Sequence, residues 1–129
     1  MSLLAIGATS GLGLEALKLF VRQSGAASIL IGARSSSAGE QAVQQLSTGT
    51  NTVSWLPLDL AALSSVESFA EQLKLKIEGG GERPSTVLLN AAVYKTALIR
   101  KAGGWSEEAV VNHFGELKLA QTSADSAIR

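Results

Sequence analysis

Four short apolar runs divide the chain, and each is followed by a stretch of helical or turn character. They are Leu3 to Ile6, Ser28 to Ala33, Thr52 to Pro57 and Thr86 to Leu89. The first, second and fourth are apolar at successive positions rather than alternating, as expected of parallel strands covered on both faces. After the first run, Leu14, Leu17, Phe20 and Val21 fall at i, i+3, i+6 and i+7, a helical stripe. A second, more polar helix is expected around Glu40 to Leu46, with Ala42, Val43 and Leu46 as its apolar positions. After the third run, Ser64-Ser65-Val66-Glu67 has the form of a capping box, Ser64 being the cap. The helix it opens carries Val66, Phe69, Ala70, Leu73 and Ile77 on one face. Glu78 to Pro84, with three glycines in a row, reads as a surface loop. Ser106 before Glu107 and Glu108 forms an N-cap with two acids in the first turn, where the helix dipole favours negative charge. Val110, Val111, Phe114 and Leu117 supply the buried face of that last helix, and the tail from Thr122 to Arg129 loses amphipathic character and is expected to fray. The alternating order predicts a single three-layer α/β domain over residues 1–129 with a parallel sheet of about four strands.

Composition narrows the functions open to such a domain. Eleven basic residues balance eleven acidic ones, so there is no electrostatic footprint for nucleic acid. A small phosphate-bearing molecule stays open, because it needs only a local cluster of donors. Cysteine is absent, which removes disulfides, thiolate metal sites and thiol nucleophiles, and no metal site is expected. The apolar start Met1 to Gly7 is too short for a signal peptide and lacks its basic flank. No apolar run approaches the roughly 18 residues of a membrane-spanning helix. A soluble, cytoplasmic protein is the expectation.

Candidate chemistry gathers first at Gly7-Ala8-Thr9-Ser10-Gly11-Leu12-Gly13, directly after a buried strand and directly before a helix. A phosphate loop belongs at that place. Glycines there permit left-handed backbone and close approach of a pyrophosphate, and the helix start presents free N–H groups and a positive dipole end. The spacing is G-x-x-x-G-x-G rather than the G-x-G-x-x-G of other dinucleotide folds. The second strand ends in Arg34. In a Rossmann-type arrangement an acid at this end accepts from the adenosine ribose, whereas an arginine pairs with a 2′-phosphate, which argues for NADP over NAD. The same guanidinium is also suited to stacking on adenine. Asn90 closes the otherwise apolar fourth strand, and strand C-terminal ends are where open α/β sheets bind ligands. A buried amide there needs partners and would either tether loops or meet a ligand. Asp59 has a plain reading as a turn or helix-start acid. Asn112 reads as an ordinary polar helix position and His113 as a helix-face residue. Trp105 and Tyr94 are aromatics of the kind that more often staple a helix than cover a cofactor.

In order and spacing these motifs resemble the short-chain dehydrogenase/reductase family, over nearly the whole chain and with a retinol-dehydrogenase-like or fungal-reductase flavour. Gly7, Gly11 and Gly13 match the family's cofactor loop, with Ile6 where threonine is usual. Arg34 matches the basic residue of NADP-preferring members, Asp59-Leu60 the pair bordering adenine, and Asn90-Ala91-Ala92 the Asn-Asn-Ala-Gly element. In that element Leu89 and Ala92 replace the first asparagine and the glycine. Val111-Asn112-His113-Phe114-Gly115 resembles the helix that carries the asparagine of the family's catalytic tetrad. The resemblance implies NADP(H) as cofactor, NAD being less favoured. Gly7, Thr9, Ser10, Gly11, Leu12 and Gly13 would hold its pyrophosphate, and Arg34 the 2′-phosphate. Asp59 and Leu60 would border the adenine, Asn90 and Ala91 the nearby ribose region, and Asn112 would be the catalytic-type residue. The implied reaction is hydride transfer with a small carbonyl or alcohol substrate.

The resemblance also implies a Tyr-x-x-x-Lys pair that these residues do not supply: the single tyrosine is Tyr94, and Leu98 stands four positions later. The expectation is therefore an N-terminal, cofactor-binding half of a reductase, truncated after about four strands, with a catalytically inactive nucleotide-binding or interaction module as the alternative. Thr86 to Ala92, lacking proline and charge, would then be an apolar sheet edge. A homo-oligomer through that strand or the last helix is the expected consequence.

Overall fold

In a computed structural model of the chain, described for residues 1–25 and 27–128 but without the side chains of Ala102 and residues 123–128, strand β1 (Ser2–Ile6) is buried at every position. A strand can be buried throughout only if both faces of its sheet are covered, because successive side chains point to opposite sides. Leu3 and Ala5 pack on one side with Leu14, Leu17 and Val21 of helix α1 (Gly11–Ser24) and Ala42 and Leu46 of helix α2 (Ser36–Leu46). Leu4 and Ile6 pack on the other with Val66, Phe69 and Leu73 of helix α3 (Leu63–Glu78) and Leu119 of helix α5 (Glu116–Ile128). The result is the three-layer architecture the sequence predicts.

Strands β2 (Ser28–Ala33), β3 (Thr52–Pro57) and β4 (Thr86–Leu89) complete a parallel sheet in the order β3-β2-β1-β4. The chain winds outward from β1 to β3, then returns across the sheet to place β4 on the far side of β1. Parallel crossovers are almost always right-handed, so the reversal puts α3 on the opposite face from α1 and α2. It also opens a crevice beyond the carboxyl ends of β1 and β4, where neighbouring loops diverge.

Three local expectations need correction. Ser64 is not a cap: α3 begins two residues earlier than such a cap would set it, at Leu63 behind Ala62, with no side-chain cap bond. Ser65 Oγ instead accepts from the Asp59 amide at 2.9 Å, so this serine serves the preceding loop. Helix α2 starts four residues before Glu40, because Ser35 Oγ accepts from the Ala38 amide at 3.3 Å. Its Gly39 leaves room for the Trp55 ring of β3, whose Cγ lies 2.6 Å from where a Cβ would stand. Finally, the last helix is not a uniform α-helix. The turn Glu107–Ala109 (α4), capped by Ser106 Oγ on the Ala109 amide, passes into a π-helical turn over Val110–Gly115 before α5. That turn inserts about one extra residue and rotates everything after it. Val110 and Val111 are buried as predicted and Phe114 is half-buried, but past the π-helical turn Leu117 is 48% exposed, and Leu119, which the predicted face did not include, is fully buried.

The backbone of α5 is helical to Ile128, through the tail expected to fray; Arg129 and the side chains of 123–128 lie outside the described residues. Strand β4 is apolar but not covered: Val87 and Leu89 are 45% and 37% exposed, and its outer edge pairs with nothing among the described residues. No helix among the described residues is long and apolar enough to cross a membrane.

Candidate functional site at the sheet switch point

Gly7 leaves β1 with φ 74°, a left-handed conformation that turns the chain sharply towards α1. A Cβ on it would meet Ala91 Cα at 2.5 Å and Asn90 C at 2.6 Å, so the turn is pressed against the end of β4. A Cβ on Gly13 would collide with the Gly7 carbonyl oxygen and come within 2.9 Å of Ala8 Cα. Asn90 fastens this junction: its backbone amide donates to Ile6 O at 3.0 Å and its Nδ2 to Gly7 O at 3.1 Å. The tethering role foreseen for that amide is therefore present, although the side chain is exposed rather than buried. Helix α1 opens at Ser10, in extended backbone with no side-chain cap and no acid in the first turn. Its N–H groups are left uncapped by the protein's own side chains, which fits an external anion.

The loop ends around this turn enclose a crevice of about 350 Å³. Gly7, Thr9, Ser10, Arg34, Asp59, Leu60, Asn90 and Ala91 all line it. Gly11, Leu12, Gly13 and Asn112 do not: Gly13 is buried behind the turn, and Leu12 is 85% exposed on the outside. Arg34 leaves the end of β2 without an ion pair to any described residue. Asp59 combines both of its readings. It lines the crevice, yet its Oδ1 also accepts from the Ala61 amide at 2.9 Å and holds the turn into α3.

Asn112 sits in the π-helical turn and spends its side chain on the loop after β4. Oδ1 accepts from the Val93 amide at 2.7 Å and Nδ2 donates to Val93 O at 2.8 Å. Its side chain therefore holds the crevice wall, because Val93 is part of that wall. His113 packs edge-on to Phe114 with ring centroids 5.4 Å apart, and Trp105 does so at 5.0 Å. Tyr94 is 87% exposed, and neither it nor Trp105 lines the crevice.

The sequence reading missed several wall residues, among them Ser35, Ala38, Val93, Val111 and Glu107. Ser35 was legible as the residue after the strand-end arginine. Glu107 was read only as a first-turn acid, and its place in the crevice wall depends on how the last helix docks. Its carboxylate pairs with Lys101 Nζ at 3.2 Å and Lys95 Nζ at 3.8 Å. The hydrogen bond from Lys101 holds its pKa below the usual carboxylate value despite some desolvation, with Lys95 and Arg34 acting in the same direction. Glu116, one turn after Asn112, behaves oppositely. Burial raises its carboxyl pKa, against the Ala91 backbone amide, and its Oε1 is buried without a hydrogen-bond partner. No cluster of His, Asp or Glu suited to a metal ion occurs among the described residues.

A parallel three-layer sheet with a glycine turn and a crevice at its switch point defines a Rossmann-type α/β domain. The family model of the KR domain matches residues 2–111, and the chain belongs to the short-chain dehydrogenase/reductase family. It is 36% identical over 124 residues to short-chain dehydrogenase/reductase GME11359 of Pestalotiopsis microspora, covering 93% of this chain and 42% of that protein. It is 34% identical over 122 residues to the WW domain-containing oxidoreductase of Gallus gallus, covering 92% of this chain and 28% of the relative. The chain thus spans less than half the length of these relatives. Among solved structures, a short-chain dehydrogenase from Sphingobium yanoikuyae in complex with NADPH superposes with a TM-score of 0.75 at 20% identity, over 96% of this chain and 47% of that one. An alcohol dehydrogenase from Thermococcus sibiricus complexed with 5-hydroxy-NADP gives 0.73 at 23% identity, over 98% and 53%.

Proposed function

We propose that the chain binds NADP(H) in the switch-point crevice and is the cofactor-holding part of an oxidoreductase acting on a small carbonyl or alcohol. The observation that carries this reading is the convergence on one crevice of the glycine turn, an uncapped helix start, Arg34 and Asp59. The residues fit the group: a pyrophosphate needs free backbone donors at a helix start, and the left-handed turn at Gly7, packed against the end of β4 where no Cβ fits, brings the uncapped start of α1 to the crevice. Gly7, Thr9 and Ser10, which line the crevice, would hold the pyrophosphate together with the uncapped backbone N–H groups of Gly11 and Leu12 at the start of α1, while Gly13, buried behind the turn, would support it from below. Arg34, without an ion pair of its own among the described residues, would meet the 2′-phosphate, Asp59 and Leu60 the adenine, and Asn90 and Ala91 the ribose region. When bound, the nicotinamide supplies hydride transfer. Both structural neighbours named above are complexes with an NADP-type ligand, which supports the reading.

Asn112 is the residue carried over as catalytic. In this chain its side chain is committed to Val93 through both its atoms, so we assign it to holding the wall on which the cofactor rests. The 129 residues contain no Tyr-x-x-x-Lys pair. Without that pair these residues supply no tyrosine–lysine proton shuttle of the family's kind. We therefore expect the isolated chain to bind without turnover, which is the behaviour of the alternative, a nucleotide-binding module.

Calorimetric titration with NADPH and NADH tests this, beside a nicotinamide-oxidation assay on small ketones and aldehydes. NADPH should bind more tightly than NADH, with no turnover. Arg34→Asp should weaken NADPH about tenfold or more and NADH little, since it replaces an attraction for phosphate with a repulsion. Equal losses for both cofactors would remove Arg34 from the role. A folded chain that binds neither would remove the function.

A further inference from the structure

Among the described residues, the ionisable groups lining the crevice are Arg34, Asp59 and Glu107, one cation against two carboxylates. Left so, the wall would repel a phosphate dianion rather than attract one. Two lysines alter that balance without lining the crevice themselves. Lys101 Nζ lies 3.2 Å from Glu107 Oε1 and Lys95 Nζ lies 3.8 Å from Glu107 Oε2, so each carboxylate oxygen faces its own ammonium. The Glu107 side chain is only 16% exposed, while the lysines are 36% and 42% exposed. The carboxylate is therefore the less exposed member of the group, and the lysines are the more solvent-facing ones.

We propose that the Lys95–Glu107–Lys101 group is a specificity device of the crevice: the lysines cancel the Glu107 charge and turn the wall that Glu107 and Arg34 share from phosphate-repelling to phosphate-accepting. The inference rests on the cofactor reading above and extends it to residues that need touch no cofactor atom. Local geometry keeps the group in place. The Glu107 amide donates to Ile99 O at 2.8 Å and the Lys95 amide to Glu108 Oε1 at 3.1 Å. The loop carrying both lysines is thereby anchored to the start of α4 by its backbone as well as by charge. Arg100, between them in sequence, is engaged elsewhere, its Nη1 donating to Gly104 O at 2.6 Å. Like charges brought together across an interface are strongly unfavourable, so a bare Glu107 facing the 2′-phosphate would cancel much of what Arg34 contributes.

The test is a binding cycle on the 129-residue chain with Lys95→Met plus Lys101→Met, with Glu107→Gln, and with all three together, each checked for an unchanged far-ultraviolet spectrum and melting transition. The probes are adenosine 2′,5′-bisphosphate and adenosine 5′-phosphate, which differ only in the 2′-phosphate, together with NADPH and NADH. Removing the two lysines should weaken the 2′-phosphorylated ligands roughly fivefold or more and leave the others within about twofold, a coupling of ordinary size. Adding Glu107→Gln should restore most of that loss, because the charge the lysines cancel has gone. The effect should shrink in about 0.5 M salt, since the lysines are solvent-screened. Equal loss for both ligand classes, or no recovery in the triple variant, would overturn the proposal. The underlying reading fails separately: a wild-type chain with no preference for the 2′-phosphate that Arg34→Asp removes takes both down, whereas a preference that survives loss of both lysines overturns this inference alone.

Discussion

Gly7 and Gly11 carry the same backbone sign, with φ 74° and 56°, yet their surroundings separate them. A methyl at Gly7 would lie against the backbone of Asn90 and Ala91, which cannot swing aside, whereas at Gly11 it would meet nothing within 4 Å. Gly7→Ala should therefore lose about 3 kcal/mol or more, combining left-handed strain with a collision. Gly11→Ala should lose about 1–2 kcal/mol from strain alone. Urea denaturation of the two variants distinguishes the cases, and equal losses would mean that the turn is not pressed against β4. Glu116 offers a second residue-scale contrast. Its carboxyl pKa is raised by burial above the model-compound 4.5. The folded state therefore holds the proton more tightly than the unfolded one, and the group's burden on folding is full at neutral pH and fades as pH falls through the raised value towards the ordinary one. Glu116→Gln should melt higher than wild type at pH 7, with the difference closing near pH 4. A difference independent of pH would assign the effect to shape instead.

Elements differ in how openly the sequence announces them. All four strands were legible because β-branched and leucine runs bounded by glycine and serine have few other uses, and the observed limits depart from the predicted ones by a single residue, at Ser2. The glycine turn was legible for the same reason: only a strand-to-helix junction under close packing needs so many missing Cβ atoms. What stayed hidden depends on contacts between distant segments. Ser64 looked like a cap because its pattern is local, but the loop before it took Ser65 for the Asp59 amide and drew the helix start forward. The π-helical turn had no local signature, and past it the buried position is Leu119 rather than the predicted Leu117. The same docking brought Glu107 to the crevice wall, which explains why a residue assigned to a helix dipole turned out to border the site. Asn112 belongs to this scale, since it ties the π-helical turn to the loop after β4. Asn112→Ala should remove both Val93 bonds, lower stability by about 1–2 kcal/mol and accelerate amide exchange at Val93, the donor of one of them. Unchanged exchange there would show that the loop is held by its lysine and glutamate contacts instead.

At the scale of the whole molecule, the parallel sheet is protected unequally at its two sides. Strand β3 carries half-buried side chains and is backed by α2 and by Trp55 seated on Gly39. Among the described residues strand β4 pairs with β1 alone, and on the α5 side it leaves Val87 and Leu89 open while Leu88 packs into the opposite core. An edge of this kind offers a row of unpaired backbone groups beside apolar side chains, and nothing charged within Thr86–Leu89 opposes a partner. A second copy can satisfy it by a two-fold, antiparallel pairing of β4 with β4, the self-complementary arrangement that closes rather than propagates. Sedimentation equilibrium of the 129-residue chain should therefore show a concentration-dependent dimer. Val87→Lys places a charge mid-edge at a 45% exposed position outside both core clusters, so it should return the protein to a monomer while leaving NADPH binding within about twofold, because Val87 is not part of the crevice wall. A wild-type chain that stays monomeric at high concentration would show that the short length of the strand is protection enough. A dimer that survives Val87→Lys would move the interface to the exposed face of the last helix, around Leu117.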